Sequence, residues 1–327
     1  MRFEQYNKLR GIPNIIVDGS ANDSTVLTLS HWPHSGTPKE LKDDLSAQIV
    51  FKYLDHPELH VNAEAVSNNH FDEDGLIGIY CLLNPEDAQK HRELLIDIAR
   101  IGDFNKYNNK NALRVALTIA AFADKSRSPL NPSVFRGGYA DQAGSLYRHI
   151  LERLPEIMKD PERFRPYWES EDAQIAATEK AIQDGVIHIE EIKDIDLAIV
   201  TLPGSDYPSY ADDSKAACHP TGLYNVLHSF CVATMQGNYY EVQYRYESWV
   251  QHQSVRPRAR VDMTTLAAHL TNEEKNGAKW EFDGVDDLMP RLYMSSASES
   301  SIAPERFREI LTNYMHTAPP AWNQYDD

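Results

Sequence analysis

The stretch "VSNNHFDEDGLIGIY" (Val66–Tyr80) decides how this chain is read. Its start continues "HVNAEAVS" (His60–Ser67), where Val61, Ala63 and Ala65 alternate with polar residues as in a strand. Its end, "DEDGLIGIYCLL", is apolar, carries glycines that permit close packing, and reads as a helix. Between the two lie His70, Asp72, Glu73 and Asp74. One acid at such a junction is a helix cap, favoured by the N-terminal dipole. Three acids with a histidine repel one another unless a cation balances them.

Upstream, "PNIIVD" (Pro13–Asp18) and "STVLTLS" (Ser24–Ser30) read as buried strands. The loop "HWPHSGTP" follows, and then a helical stripe begins at Pro38 and includes Leu41, Leu45, Ile49, Val50, Tyr53 and Leu54. Strand, helix, strand implies a parallel pair with a right-handed crossover. Downstream, "NPEDAQKHRELLIDIARIGDF" reads as one helix with Gly102 as its stop signal, and "KNALRVALTIAAFAD" as another. Helical patterns continue to about Asp184. From Val186 the texture changes: "VIHIEEI", "DLAIVTL", "NYYEVQYRYESWV" and "KWEFDG" read as strands, and "RVDMTTLAAHLTNEE" and "PERFREILTNYM" as helices. The expected fold is α/β, with a parallel sheet and flanking helices over residues 1–160, a helical connector over 161–190, and a smaller α+β domain over 191–327.

A balance of 32 basic against 49 acidic residues argues against an extended nucleic-acid surface or binding to acidic membranes. Cys81, Cys218 and Cys231 are widely spaced and form no CxxC pair, which fits a reducing compartment. The sequence shows neither a signal-peptide core nor an apolar run near the ~18 residues of a membrane span. A soluble, cytoplasmic protein is expected, with homo-oligomerisation left open.

In an open parallel sheet, ligands bind beyond the carboxyl ends of the strands. The first predicted strand ends at Asp18, the second runs into His31 and His34, and the third into His70, Asp72 and Asp74. If the three lie parallel in one sheet, these six side chains share one edge. Imidazole and carboxylate together suit a divalent ion such as manganese, iron or zinc, and carboxylates can bridge a metal pair.

"NNHFDEDGLIGIY" resembles motif I of the DHH phosphoesterase superfamily, a His-x-Asp-x-Asp-Gly pattern after a strand. The resemblance implies His70, Asp72 and Asp74 as ligands of a divalent pair, usually manganese. "LLIDIARIGDF" is similar to the segment that carries a further metal-binding aspartate, here Asp103, and "SVRPRARVDMTTLAAHL" faintly resembles the start of the substrate-binding partner domain. The chain lacks the superfamily's Asp-His-His triplet and its Gly-Gly-Gly-His segment.

The expected activity is metal-dependent hydrolysis of a phosphoester or related small anion. His31 or His34 would serve as a general acid or further ligand, and Arg256, Arg258 and Arg260, with His219, would hold the substrate. Two alternatives are a non-haem iron oxygenase, with His70 and Asp72 in a facial triad, and a non-catalytic binding protein descended from an enzyme.

Overall fold

The computed structural model describes residues 1–204, 218–296 and 299–326. The chain divides into two compact units, Met1–Ala173 with Gln251–Val255, and Gln174–Val250 with Arg256–Asp327.

The first unit contains β1 (Arg2–Phe3), β2 (Asn14–Val17), β3 (Thr25–Leu29), α1 (Ser46–Asp55), β4 (Ala65–Ser67), α2 (Glu73–Leu83), α3 (Pro85–Lys90), α4 (Arg92–Phe104), α5 (Lys110–Ala123) and α6 (Tyr139–Lys159). Helix α7 (Arg165–Gln183) starts in this unit and ends in the second. The sheet order is β1-β4-β2-β3, and every pairing is parallel. The three expected strands therefore do lie in one parallel sheet, with β2 between β3 and β4, but the third, expected from His60, is confined to Ala65–Ser67 and leaves out Val61 and Ala63. The four residues of β2 are all buried, as an apolar run covered on both faces requires.

Helix α2 is buried from Asp74 to Leu82 and packs against the sheet, α1, α4, α5 and α6. A helix apolar all round belongs in a core. Gly78 lets it approach the sheet: a β-carbon there would come within 2.5 Å of Val17 Cγ1. That closeness brings the amino end of α2 beside the residue that follows β2.

Three local readings change. Residues 39–41 form a single 3-10 turn, and α1 starts only at Ser46. The first amides of α1, on Ser46 and Ala47, donate to the Asp74 carboxylate at 2.7 Å each, so the helix begins where its donors find an acceptor. The helix expected over 84–104 breaks at His91, because α3 buries only Ala88 while α4 turns Leu95, Ile98 and Ile101 inward. Gly102 does not stop α4. It makes room for Glu73, whose Cβ a Gly102 β-carbon would meet at 2.6 Å, and the helix ends at Asn105 in the left-handed region (φ 52°).

The second unit carries β5 (His188–Ile192), β6 (Leu197–Leu202), α8 (Pro220–Tyr224), β7 (Cys231–Gln236), β8 (Tyr239–Tyr244), β9 (Arg260–Val261), α9 (Thr264–Glu273), β10 (Trp280–Phe282), β11 (Arg291–Met294), α10 (Pro304–Thr317) and β12 (Pro320–Trp322). Its six-stranded sheet runs β10-β11-β8-β7-β6-β5, antiparallel except for the β6–β7 pair. Along β6 the period of two is plain. Leu197 and Ile199 face a core shared with α9 and α10, and Ala198, Val200 and Leu202 face one shared with the end of α7 and with α8. Among the described residues, no helix is long and apolar enough to cross a membrane.

Candidate metal centre

Asp18 follows β2 and adopts a left-handed backbone (φ 52°), a conformation that aspartate tolerates better than most residues. Its amide donates to the Leu29 carbonyl at 3.0 Å, and its side chain is buried. His31 lies two residues past β3 and is also buried. Asp72 caps α2, with Oδ1 accepting from the Gly75 amide at 2.8 Å. Asp74 sits in the first turn of the same helix and Asp103 in the last turn of α4. Strand ends, one helix start and one helix end thus meet at one place.

Two groups of ligand atoms form there, each gathered within 4.8 Å: an inner group of Asp18, His31, Asp74 and Asp103, and an outer group of Asp18, His70 and Asp72. Asp18 belongs to both. Its Oδ1 is 3.3 Å from His31 Nε2, and its Oδ2 is 3.4 Å from His70 Nε2. His31 Nε2 also lies 3.3 Å from Asp103 Oδ2 and 4.0 Å from Asp74 Oδ2, and His70 Nε2 lies 2.5 Å from Asp72 Oδ2. The inner side chains are almost wholly buried, whereas those of His70 and Asp72 are 21% and 25% exposed, so the outer group is the one that solvent reaches.

Among the described residues, neither lysine nor arginine pairs with these four carboxylates; His31 and His70 are their ion-pair partners. The electrostatics record the crowding. Burial, and then the Asp18 charge, push the Asp74 carboxyl up to about 7 and raise that of Asp72. Burial and the Asp74 charge raise Asp103 well above the ordinary range. Burial also acts to raise Asp18, but the two histidines beside it prevail and hold it below that range. Burial disfavours a charged His31 or His70, yet the carboxylates prevail, raising His31 and taking His70 up to about 11. Protons on the imidazoles do the work of a cation.

His31 Nδ1 donates to the Asp44 carbonyl at 2.6 Å. In the neutral ring this leaves the Nε2 lone pair facing three carboxylates, the arrangement of a metal-ligating histidine held by its other nitrogen. Asp18 Oδ2 and Asp103 Oδ2 are buried and meet no hydrogen-bond donor of good geometry. Lone pairs of this kind are what a cation fills, and the nitrogen and oxygen donor set fits a divalent ion of the manganese, iron or zinc type.

Ser46 ties the inner group together. Its Oγ donates to Asp18 Oδ1 at 2.7 Å and accepts from the His31 amide at 3.2 Å, and its own amide donates to Asp74. Around the outer group, a β-carbon on Gly75 would meet Asn68 Nδ2 at 2.3 Å, Tyr147 Oη at 2.6 Å and Asp72 Oδ1 at 3.0 Å. Trp32 stacks on His70 at 5.2 Å. Ser46, Asn68 and Tyr147 carry no signal in the sequence, because each acts through a contact across the chain.

The structure thus brings together Asp18, His31, His70, Asp72, Asp74 and Asp103. His34 stands outside the cluster, exposed and with a left-handed backbone (φ 56°). The other candidates belong to the second unit. His219 caps α8, accepting from the Thr221 amide at 3.1 Å. Arg256 lies over the Tyr325 ring at 4.7 Å, and Arg258 donates to the Asp194 carbonyl. Arg260 is fully buried and donates to the carbonyls of Val285, Asp287 and Leu288 and to Ser248 Oγ. It is a core residue.

No curated protein matches the chain. The model of a family of unknown function, DUF6687, matches residues 1–326, and the chain belongs to that family.

Proposed function

We propose that this protein is a metal-dependent hydrolase of a phosphoester or related small anion, and that the cluster holds two divalent ions, manganese by preference. One observation carries the reading: Asp18 is shared by two ligand groups that together supply four carboxylates and two imidazoles. Four carboxylate charges equal those of two divalent ions, and no lysine or arginine among the described residues competes for them. A divalent pair, when bound, makes water nucleophilic near neutral pH and stabilises negative charge on a phosphoryl group.

The chain's own residues divide the work. Asp18, His31, Asp74 and Asp103 would hold the inner ion, and Asp18, His70 and Asp72 the outer one. The outer set supplies three ligands and is partly exposed, which leaves room there for water and substrate. The inner set is buried and serves as an anchor. The resemblance of "HFDEDG" to motif I of the DHH phosphoesterases agrees with this division and is the ground for preferring manganese. An iron oxygenase needs two histidines and one carboxylate around one ion, whereas here the histidines fall into different groups with two or three aspartates each.

The test is the metal content of protein purified without chelator, followed by hydrolysis of bis(p-nitrophenyl) phosphate with Mn2+. Two ions per chain and a turnover lost in Asp18→Asn are expected. Protein that takes up no divalent ion refutes the reading, and ion uptake without turnover on any phosphoester reduces it to metal binding alone.

A further inference from the structure

The segment Gln251–Val255 belongs to the first unit, while the residues on either side of it belong to the second. Four of its contacts run to one residue. Asp44 Oδ1 accepts from the Gln253 amide at 2.6 Å and the Ser254 amide at 2.8 Å, and faces His252 Nδ1 at 3.1 Å. Asp44 Oδ2 accepts from Ser254 Oγ at 2.5 Å. The segment also touches the metal centre directly. The Gln251 amide donates to the His31 carbonyl at 2.8 Å, and His252 stacks at 5.1 Å on Phe104, the neighbour of Asp103.

The backbone carbonyl of the same Asp44 accepts the proton on His31 Nδ1. One residue therefore does two things. Its carbonyl selects the His31 tautomer that offers Nε2 to the inner position, and its carboxylate fixes that carbonyl in space by gripping a distant part of the chain. We propose that Asp44 is the positioning residue of the inner metal site, and that clamping 251–255 is how its carbonyl is kept in register with His31. The proposal rests on the metal reading above. It adds that the inner site is complete only when 251–255 is seated, so that metal binding and docking of this segment favour each other.

The test is a Mn2+ titration of the full chain by calorimetry, with hydrogen exchange read at single amides. Partners of this kind affect metal affinity by about 10–100-fold. Asp44→Ala is expected to weaken one of the two ions by that factor and leave the other unchanged. In the wild type, Mn2+ is expected to slow exchange at the Gln251, Gln253 and Ser254 amides, but not at Asn108 and Asn109, whose amides are bonded to Asp97 away from the cluster. Should Asp44→Ala not fold, Ser254→Ala removes one clamp bond; it is expected to weaken the same ion, and Ser254→Thr to restore it. The control is His31→Ala, which removes the ligand itself. If His31→Ala loses an ion while Asp44→Ala or Ser254→Ala titrates as wild type, the positioning role is refuted and the metal reading stands. If the wild type binds no ion, both fall.

Discussion

Removing the Ser46 hydroxyl is the sharpest single perturbation of the inner group. In Ser46→Ala the backbone bond to Asp74 survives, because it uses the amide. Two bonds are lost. Asp18 Oδ1 loses a donor at 2.7 Å, a hydrogen bond to a charged group worth about 1.5–3 kcal/mol. The buried His31 amide loses its acceptor at 3.2 Å, and an orphaned buried donor costs about 1–3 kcal/mol. Alanine returns roughly 0.5 kcal/mol through its better helix propensity at the start of α1. The net loss is about 2–5 kcal/mol. At ~2–4 °C per kcal/mol for a unit of this size, melting of the first unit should fall by roughly 4–20 °C without metal. Circular dichroism melts of the full chain measure it, repeated at saturating Mn2+. The loss should persist with metal, since the mispositioned Asp18 and His31 are then ligands. A Ser46→Ala protein that melts within 1 °C of wild type in both states would show that the hydroxyl does not organise the site.

Three further outcomes are expected. The carboxylates hold the imidazole protons of His31 and His70 more tightly than a free imidazole holds its own. Metal binding must release them, so affinity should rise with pH, and the binding heat should change with the ionisation enthalpy of the buffer; heats that ignore the buffer contradict this. Gly75→Ala places a β-carbon on Asn68 Nδ2 and Tyr147 Oη and displaces Asp72; it should lose one ion in a Mn2+ titration and about 1–3 kcal/mol of stability in urea unfolding. Burial raises the Asp196 carboxyl to about 6, against a lowering by its bond from the Phe230 amide. A carboxyl raised on folding takes up protons in the native state, so it erodes stability as pH rises from about 4 to about 6, and the loss is constant above that. Asp196→Asn keeps an acceptor, suits the left-handed backbone (φ 54°) and should stabilise the protein at pH 7 by on the order of 2 kcal/mol; a lower melting temperature at pH 7 would contradict the burial argument.

The local signals of the sequence were strong where a segment is apolar and short. "NIIV" and "TVLTL" are strands because β-branched runs bounded by turn residues have few other uses, and "GLIGIYCLL" is a buried helix because it is apolar on every side. The segments that went unread are those whose structure depends on partners. The two residues of β1 are a strand only beside β4, and β11 only between β8 and β10. "CVATMQ" was passed over because a short apolar run next to a helical one carries no period of its own.

The site divides in the same way. By itself the sequence determined that Asp18, His31 and His70 follow strands and that Asp72 and Asp74 stand where a helix begins, since strand period and turn chemistry are local properties. The resemblance of "LLIDIARIGDF" supplied Asp103. Only the tertiary structure decided that these side chains converge, that Asp18 is shared, and that His34 is left outside. It alone decided that Arg260 is a core residue, for an arginine reads the same in sequence whether it faces water or three backbone carbonyls. It alone revealed Ser46 and Asp44, whose importance lies in bonds that span 13 to 210 positions of the chain. Hydrogen bonds between distant segments leave no periodic trace, so the residues that hold the ligands in place became visible only once the chain was folded.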